Sequence, residues 1–238
     1  MLACLIANST DADSGFVGDA LGQRGYSFDL FIREDYPNWP TLEGIELVVS
    51  LGSNWSTYWD QLSGPILAEQ KLLADAIAGD IAVLGICFGA QQLSTVLGGQ
   101  VTKAQSPEIG WHKIIPVADS GHLISEEIIV GPWMQWHYDR FTDPPGATVL
   151  AKSEVGPQMV VCGKSVGVQF HPEATVNIVE MWSEGDGAKE LNSAQISVEL
   201  LRAQTEAETQ AEINSSAQRC DALIEWFLDC VAQKHIAT

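Results

Sequence analysis

Along the first hundred positions the apolar residues fall in short blocks separated by helical patterns. Leu2–Ala7 is the first block, closed by Asn8-Ser9-Thr10-Asp11, a cluster suited to a turn and a helix start. A helical pattern over Phe16–Gly25 and a β-type run over Tyr26–Ile32 follow. Glu46–Gly52 is apolar on both sides, as expected of a strand in a parallel sheet covered on both faces. Ser63-Gly64-Pro65 opens a helix running to Gly79, with Pro65 near its first turn, and Ile81–Ile86 is a fourth strand. This alternation through Gly98 predicts an α/β fold with an open, mostly parallel central sheet flanked by helices.

Beyond Gly98 the pattern changes. Trp111–Val117, Glu127–Val130, Thr148–Lys152, Gln158–Cys162 and Ser165–Phe170 are β-type runs between turns rich in Gly and Pro, expected to extend the sheet with mostly antiparallel strands. Lys189–Asn214 is rich in Ala, Gln and Glu, and reads as a surface helix or a partly disordered stretch. Cys220, Leu223, Ile224, Phe227, Leu228 and Val231 then follow a helical template, so a last amphipathic helix is expected to dock on the body. The expected organisation is one domain over residues 1–183 and an acidic helical C-terminal extension over 184–238 packed on it.

Composition narrows the function classes. The chain has 238 residues, 46% of them apolar, with 12 basic against 31 acidic side chains and a net charge of −19. Such a surface repels phosphate backbones and anionic lipid, so neither nucleic acid nor membrane is an expected partner. No apolar stretch approaches the roughly 18 residues of a membrane span. Met1–Ala7 lacks a basic lead-in and is too short for a signal peptide, and five thinly spread cysteines do not suggest a disulfide scaffold. A cytoplasmic location is expected.

Gly85-Ile86-Cys87-Phe88-Gly89 lies between an apolar strand and a helical pattern, Ala90–Leu97, that stops at Gly98-Gly99. This is a G-x-C-x-G corner, the thiol counterpart of the G-x-S-x-G turn. A strand turning sharply into a helix crowds the corner, and small neighbours relieve that crowding. The corner side chain then stands above the carboxyl end of the sheet, at a helix N-terminus whose partial charge favours thiolate over thiol. Far downstream, Gly167-Val168-Gln169-Phe170-His171-Pro172-Glu173 places a histidine at a strand end with a carboxylate two residues on. A thiol nucleophile needs an imidazole to take its proton and hand it to the leaving amine, and that imidazole needs an acceptor on its other nitrogen. Taken singly, Cys87 also fits a buried β–α turn and His171-Pro172-Glu173 a solvated one; together they favour chemistry. The order nucleophile, histidine, acid is not that of the α/β-hydrolases.

These residues resemble the class I, triad-type glutamine amidotransferase family. The likeness rests on Gly85–Leu93, Glu108-Ile109-Gly110-Trp111, Trp136-His137-Tyr138-Asp139 with Pro144-Pro145-Gly146-Ala147, and Val168–Glu173, over roughly residues 46 to 183. Within the family the chain is most similar to free-standing relatives of the GMP synthetase glutaminase part and to γ-glutamyl peptidases. The resemblance implies a Cys87–His171–Glu173 triad that attacks a γ-glutamyl amide, forms a thioester and lets water hydrolyse it. It implies an oxyanion hole from the N–H of Phe88 and an N–H of the Gly52-Ser53-Asn54 loop, with Ser53 the donor; losing one such donor costs about 3 kcal/mol. It implies that Gln91 and the Gln135-Trp136-His137-Tyr138 segment hold the substrate. Many members carry Gly-Gly-Pro where this chain has Gly52-Ser53-Asn54, so this loop departs from the pattern.

Other signals carry less. Trp55 and Trp59, with Trp111, are candidates for the wall of a leaving-group pocket, against an ordinary packing role. Gly163-Lys164-Ser165 reads as a hairpin turn and not a phosphate loop, Asn54-Trp55-Ser56 as a glycosylation pattern of no consequence without secretion, and His137 as pocket-lining or structural. Cys4 and Cys162 fall in strands, Cys220 and Cys230 in the last helix. His112, His122 and His235 lack ligand-spaced partners, so neither a metal nor another cofactor is expected. With no ATP-binding motif in evidence, release of ammonia from glutamine would call for an ATP-dependent synthetase as partner. Two other readings stay open: a stand-alone γ-glutamyl hydrolase releasing a larger amine or peptide, and a non-catalytic regulatory subunit.

Overall fold

The computed structural model describes residues 1–39, 41–117 and 124–233. The strands are β1 (Leu2–Ala7), β2 (Ser27–Ile32), β3 (Leu47–Ser50), β4 (Ala82–Ile86), β5 (Val101–His112), β6 (Ile115–Pro116), β7 (Trp133–Phe141), β8 (Thr148–Lys152), β9 (Pro157–Cys162) and β10 (Ser165–Val168). The helices are α1 (Gly15–Gln23), α2 (Ser63–Ala78), α3 (Phe88–Val96), α4 (Glu126–Val130), α5 (Val176–Trp182), α6 (Gly185–Ser193), α7 (Val198–Gln210) and α8 (Ser216–Trp226), the last running into a π-helical turn over Phe227–Ala232.

Eight strands form one sheet in the order β2-β1-β3-β4-β10-β9-β8-β6. The five from β2 to β10 run parallel to one another, and β9, β8 and β6 continue the sheet antiparallel. The alternation of side chains along a strand explains why these sequences are apolar on both sides. Ala3, Leu5 and Ala7 of β1 join Leu47, Val49, Leu84 and Ile86 in a core shared with α1 and α8, whereas Cys4, Ile6, Val48 and Val83 face Leu72, Leu73 and Ala76 of α2 and Leu93 of α3. Fully burying each of the Leu, Ile and Val side chains among them contributes about 1.5–3 kcal/mol, so both faces are pinned. The expected docking of the last helix holds: Cys220, Leu223, Ile224, Phe227 and Val231 are buried in the first core.

Two expectations change. Glu127–Val130 is helix α4, not a strand: Ser125 caps it by accepting from the Glu127 N–H, and Glu126 and Glu127 occupy its first turn. Trp111–Val117 is split between two sheets, because β5 pairs with β7 as a separate antiparallel pair while β6 joins the main sheet. Of the two alternatives for Lys189–Asn214 the helical one holds: it falls mainly on α6 and α7, which bury Leu191, Leu201 and Thr205 against the β5–β7 pair and α5. The Gly163-Lys164 turn does join β9 to β10, with Cys162 opposite Ser165 and Gly163 at φ +58.

Candidate active site

Register brings the distant motifs together. Ile86 of β4 is paired with Val168 of the parallel strand β10, and the N–H of Cys87 donates to the carbonyl of Val168 at 2.8 Å. One residue past β4 the chain must enter α3, and Cys87 takes that corner at φ 50°, ψ −106°. A non-glycine residue rarely adopts this backbone, and it persists only where the surroundings enforce it. Here they are close-packed: a Cβ on Gly85 would lie 2.6 Å from the carbonyl oxygen of Gly89, and one on Gly89 would lie 2.1 Å from that of Ser50. The two glycines of the motif are therefore steric necessities.

Three residues past β10 the N–H of His171 donates to the carbonyl of Met134 at 2.8 Å, which ties its turn to β7. Its ring Nδ1 lies 2.7 Å from Oε1 of Glu173, both residues being buried. That contact leaves Nε2 buried with no nitrogen or oxygen partner among the described residues. Burial pulls the imidazole pKa down, but the Glu173 carboxylate and the Cys87 sulfur outweigh it and hold the ring well above its ordinary 6.5. Gly52 closes the third side. A Cβ there would sit 2.9 Å from Cε1 of His171 and 3.6 Å from Cβ of Cys87.

The sulfur has two further neighbours, the carbonyl of Trp136 at 3.9 Å and Nε2 of Gln169 at 3.6 Å. Gln169 is in turn held by Nε2 of Gln91, which donates to its Oε1 at 3.3 Å and to the carbonyl of Asp139 at 3.5 Å. Gln91 is thus buried directly behind the corner. Phe88 opens α3 and is buried, with Trp55 edge-on to its ring at 6.5 Å. Ser53 accepts from the N–H of Trp55, and Ser56 and Tyr58 donate to the two carboxylate oxygens of Asp139 at 2.6 and 2.8 Å, so the loop after β3 is fastened to β7.

The other sequence-derived candidates are spread out. The side chain of Gln135 is fully buried and donates to Gln158. His137 is buried with Nδ1 at 2.9 Å from the carbonyl of Asp139 and Nε2 at 3.0 Å from Glu108, whose carboxyl is held below its usual range as these contacts outweigh burial. Tyr138 is half-buried in the same apolar cluster as Trp136. Trp136 donates to Glu190 of α6 at 2.7 Å, and Trp111 to Thr205 of α7 at 2.9 Å. Trp55, Trp59 and Trp111 thus occupy three environments: against Phe88, 37% exposed on the surface, and under α7.

Four residues near the site had no assigned role in the sequence. Trp182 stands against His171, Asp11 accepts from Trp182, and Arg33 and Glu69 form a fully buried ion pair. For Glu69 a signal was present: it falls on the buried stripe of α2 with Ile66, Leu72, Leu73 and Ala76. A charge on such a stripe demands a partner. Among the described residues no group of His, Cys, Asp and Glu is arranged to hold a metal; His122 and His235 lie outside them.

Residues 62–180 match the family model of glutamine amidotransferase class-I. The chain belongs to that family. It is 36% identical over 138 residues to a glutamine-hydrolysing GMP synthase of Aeropyrum pernix, an alignment covering 56% of this chain and 25% of the relative. A glutamine amidotransferase-like protein of Salmonella typhimurium is 33% identical over 171 residues, covering 66% of this chain and 69% of that one. The chain spans about a quarter of the length of the GMP synthases it matches. Among solved structures, a glutamine amidotransferase of Thermotoga maritima superposes with a TM-score of 0.81 at 28% identity, covering 96% of this chain and 98% of the other. A Methylobacillus flagellatus structure, at 21% identity and a TM-score of 0.78, shares the fold.

Proposed function

We propose that this protein is a cysteine-dependent glutaminase that hydrolyses the γ-amide of glutamine through a γ-glutamyl thioester. The observation that carries the reading is the corner thiol at φ 50° beside an imidazole whose far nitrogen is held by Glu173 at 2.7 Å. Glu173 accepts from Nδ1–H and so directs Nε2 toward the sulfur. The raised imidazole pKa keeps a proton on the ring beside the sulfur. The thiolate attacks the amide carbon and the carbonyl oxygen becomes an oxyanion, held by the N–H groups of Phe88 and of Ser53 beside Gly52. The C–N bond breaks as His171 gives its proton to the departing nitrogen, releasing ammonia. Water then attacks the thioester, His171 takes its proton, and glutamate leaves as the thiolate returns.

Gln91 and the Gln135–Tyr138 segment are assigned to substrate binding, Gln91 acting through Gln169 and the segment through its backbone, since the Trp136 carbonyl faces the sulfur. The ammonia would be consumed by an ATP-dependent synthetase, as a separate subunit or a pathway partner. A second reading is favoured by the aromatic loop after β3: Tyr58 is 48% and Trp59 37% exposed, next to Trp55 and the Ser53 turn. Such a rim suits a γ-glutamyl conjugate with a larger apolar amine.

Assaying the purified chain and its Cys87→Ala variant on glutamine, γ-glutamyl anilides, alkylamides and dipeptides tests both. Turnover of glutamine that disappears with Cys87 supports the first reading. Strong turnover of the bulky amides with little of glutamine would replace it with the second, and near wild-type rates without Cys87 would defeat the mechanism.

A further inference from the structure

Arg33 is fully buried, and its guanidinium reaches the loop that carries the proposed oxyanion donor. Nε donates to Oε2 of Glu69 at 2.8 Å, and Nη2 to Oε1 of the same carboxylate at 3.2 Å. Nη1 donates to Oδ1 of Asn8 at 2.8 Å and to the carbonyl of Gly52 at 2.9 Å. Nη2 also reaches the carbonyl of Leu51 at 2.8 Å and Oγ of Ser50 at 3.3 Å. The face of the group covers the ring of Phe88 at 4.9 Å. One planar cation therefore touches both sides of the proposed hole.

The contact to Gly52 decides the geometry. The Gly52 carbonyl and the Ser53 N–H belong to one peptide plane. That bond is trans, so the two groups point in opposite directions. Fixing the carbonyl on Arg33 therefore aims the N–H away from Arg33. If the plane flipped, the carbonyl would take the place of the N–H, and a lone pair would meet the developing oxyanion. Hydrogen bonding at the carbonyl also polarises the peptide, which strengthens its N–H as a donor. Glu69 compensates the buried charge, and the Ser50 hydroxyl donates to it at 2.5 Å.

Resting on the hydrolase reading above, we propose that Arg33 is a positioning residue that locks the Gly52–Ser53 peptide in its donating orientation, so that the oxyanion hole stands formed before substrate arrives. The guanidinium supplies the rigidity that a proline ring would otherwise give this loop. Lysine cannot do the same, because a single ammonium has no planar fork to hold two consecutive carbonyls and a carboxylate at once.

The test compares Arg33→Lys with the double variant Arg33→Met/Glu69→Met, which leaves no unpaired buried charge. Each is measured for kcat and KM on the best substrate, and for the rate at which iodoacetamide alkylates Cys87, read on the peptide that contains it. Alkylation needs the thiolate and His171 but no oxyanion hole. The expected result is a loss of about 10²-fold in kcat, the scale of one missing donor, with KM and alkylation within about 3-fold of wild type. Arg33→Lys should lie between wild type and the double variant. Should the double variant not fold, Arg33→Lys decides alone by the same split. Unchanged kcat in a folded variant, or kcat and alkylation falling together, overturns the inference. Activity that survives Cys87→Ala defeats the hydrolase reading itself, whatever Arg33 does.

Discussion

The indole of Trp182 stands against the imidazole of His171, with centroids 4.6 Å apart and planes at 62°, while its Nε1–H donates to the Asp11 carboxylate at 3.0 Å. Asp11 is thereby drawn into the same pocket as the Glu173 carboxylate. Burial, and then repulsion from Glu173, push its pKa from 3.8 up to about 6. A carboxyl whose folded pKa is raised costs stability as pH climbs from the unfolded value through the folded one.

Asp11→Asn removes that cost and keeps an oxygen to accept from Trp182. The variant should be more stable than wild type at pH 7.5 by up to about 3 kcal/mol, and the gap should close toward pH 4. Urea denaturation at the two pH values checks this; a gap that is constant or widens on acidification would refute it.

A second pH effect concerns turnover. With His171 held well above 6.5 by Glu173 and the sulfur, its proton is available to the leaving nitrogen beyond the ordinary imidazole range. The alkaline limb of kcat should therefore lie well above pH 6.5. Glu173→Gln should move it to lower pH and reduce the rate less than His171→Ala does. A limb unmoved by Glu173→Gln would show that the carboxylate does not act on the ring.

Backbone strain at the nucleophile predicts a gain in stability without function. Glycine adopts φ 50°, ψ −106° far more readily than cysteine, and relief of such strain is worth about 1–3 kcal/mol. Part of that is offset by the greater freedom of glycine in the unfolded chain, about 0.5–1 kcal/mol. Cys87→Gly should thus melt a few degrees higher than wild type, whereas Cys87→Ala, which keeps a Cβ, should show no such rise. Thermal melts of the two inactive variants side by side make the comparison.

Gly89→Ala should act in the opposite direction. Its Cβ would fall 2.1 Å from the Ser50 carbonyl and 2.5 Å from the Ser50 hydroxyl, forcing β3 away from α3. The expected loss is at least about 1–3 kcal/mol, with activity reduced because the elbow shifts. Wild-type stability and turnover would contradict the packing described for this corner.

How far the sequence disclosed this arrangement depends on where the burial lies. Leu47–Ser50 and Ala82–Ile86 were legible because both faces of a parallel strand are covered and the run is apolar throughout. Trp133–Phe141 was not, because it buries Gln135, His137 and Asp139, polar residues whose side chains are paired with distant Gln158, Glu108, Ser56 and Tyr58. Ile128-Ile129-Val130 imitated a strand, but Ser125 with two glutamates makes a capped helix of it. In the candidate site, the corner and its histidine could be picked out by motif. Arg33 could not, since its hydrogen-bond partners come from three separate segments of chain and only the folded sheet gathers them.

Helices α6 and α7 are polar on their outer faces yet shelter tryptophans: Glu190 receives the indole of Trp136, Thr205 that of Trp111, and at Gly187 a side chain would collide with the Trp182 carbonyl. A recombinant product cut after Trp182 would lose this sheath and offer a sticky aromatic plane to solvent. Such a shortened protein should be expected to aggregate, and its poor behaviour would say little about the catalytic body it was designed to isolate.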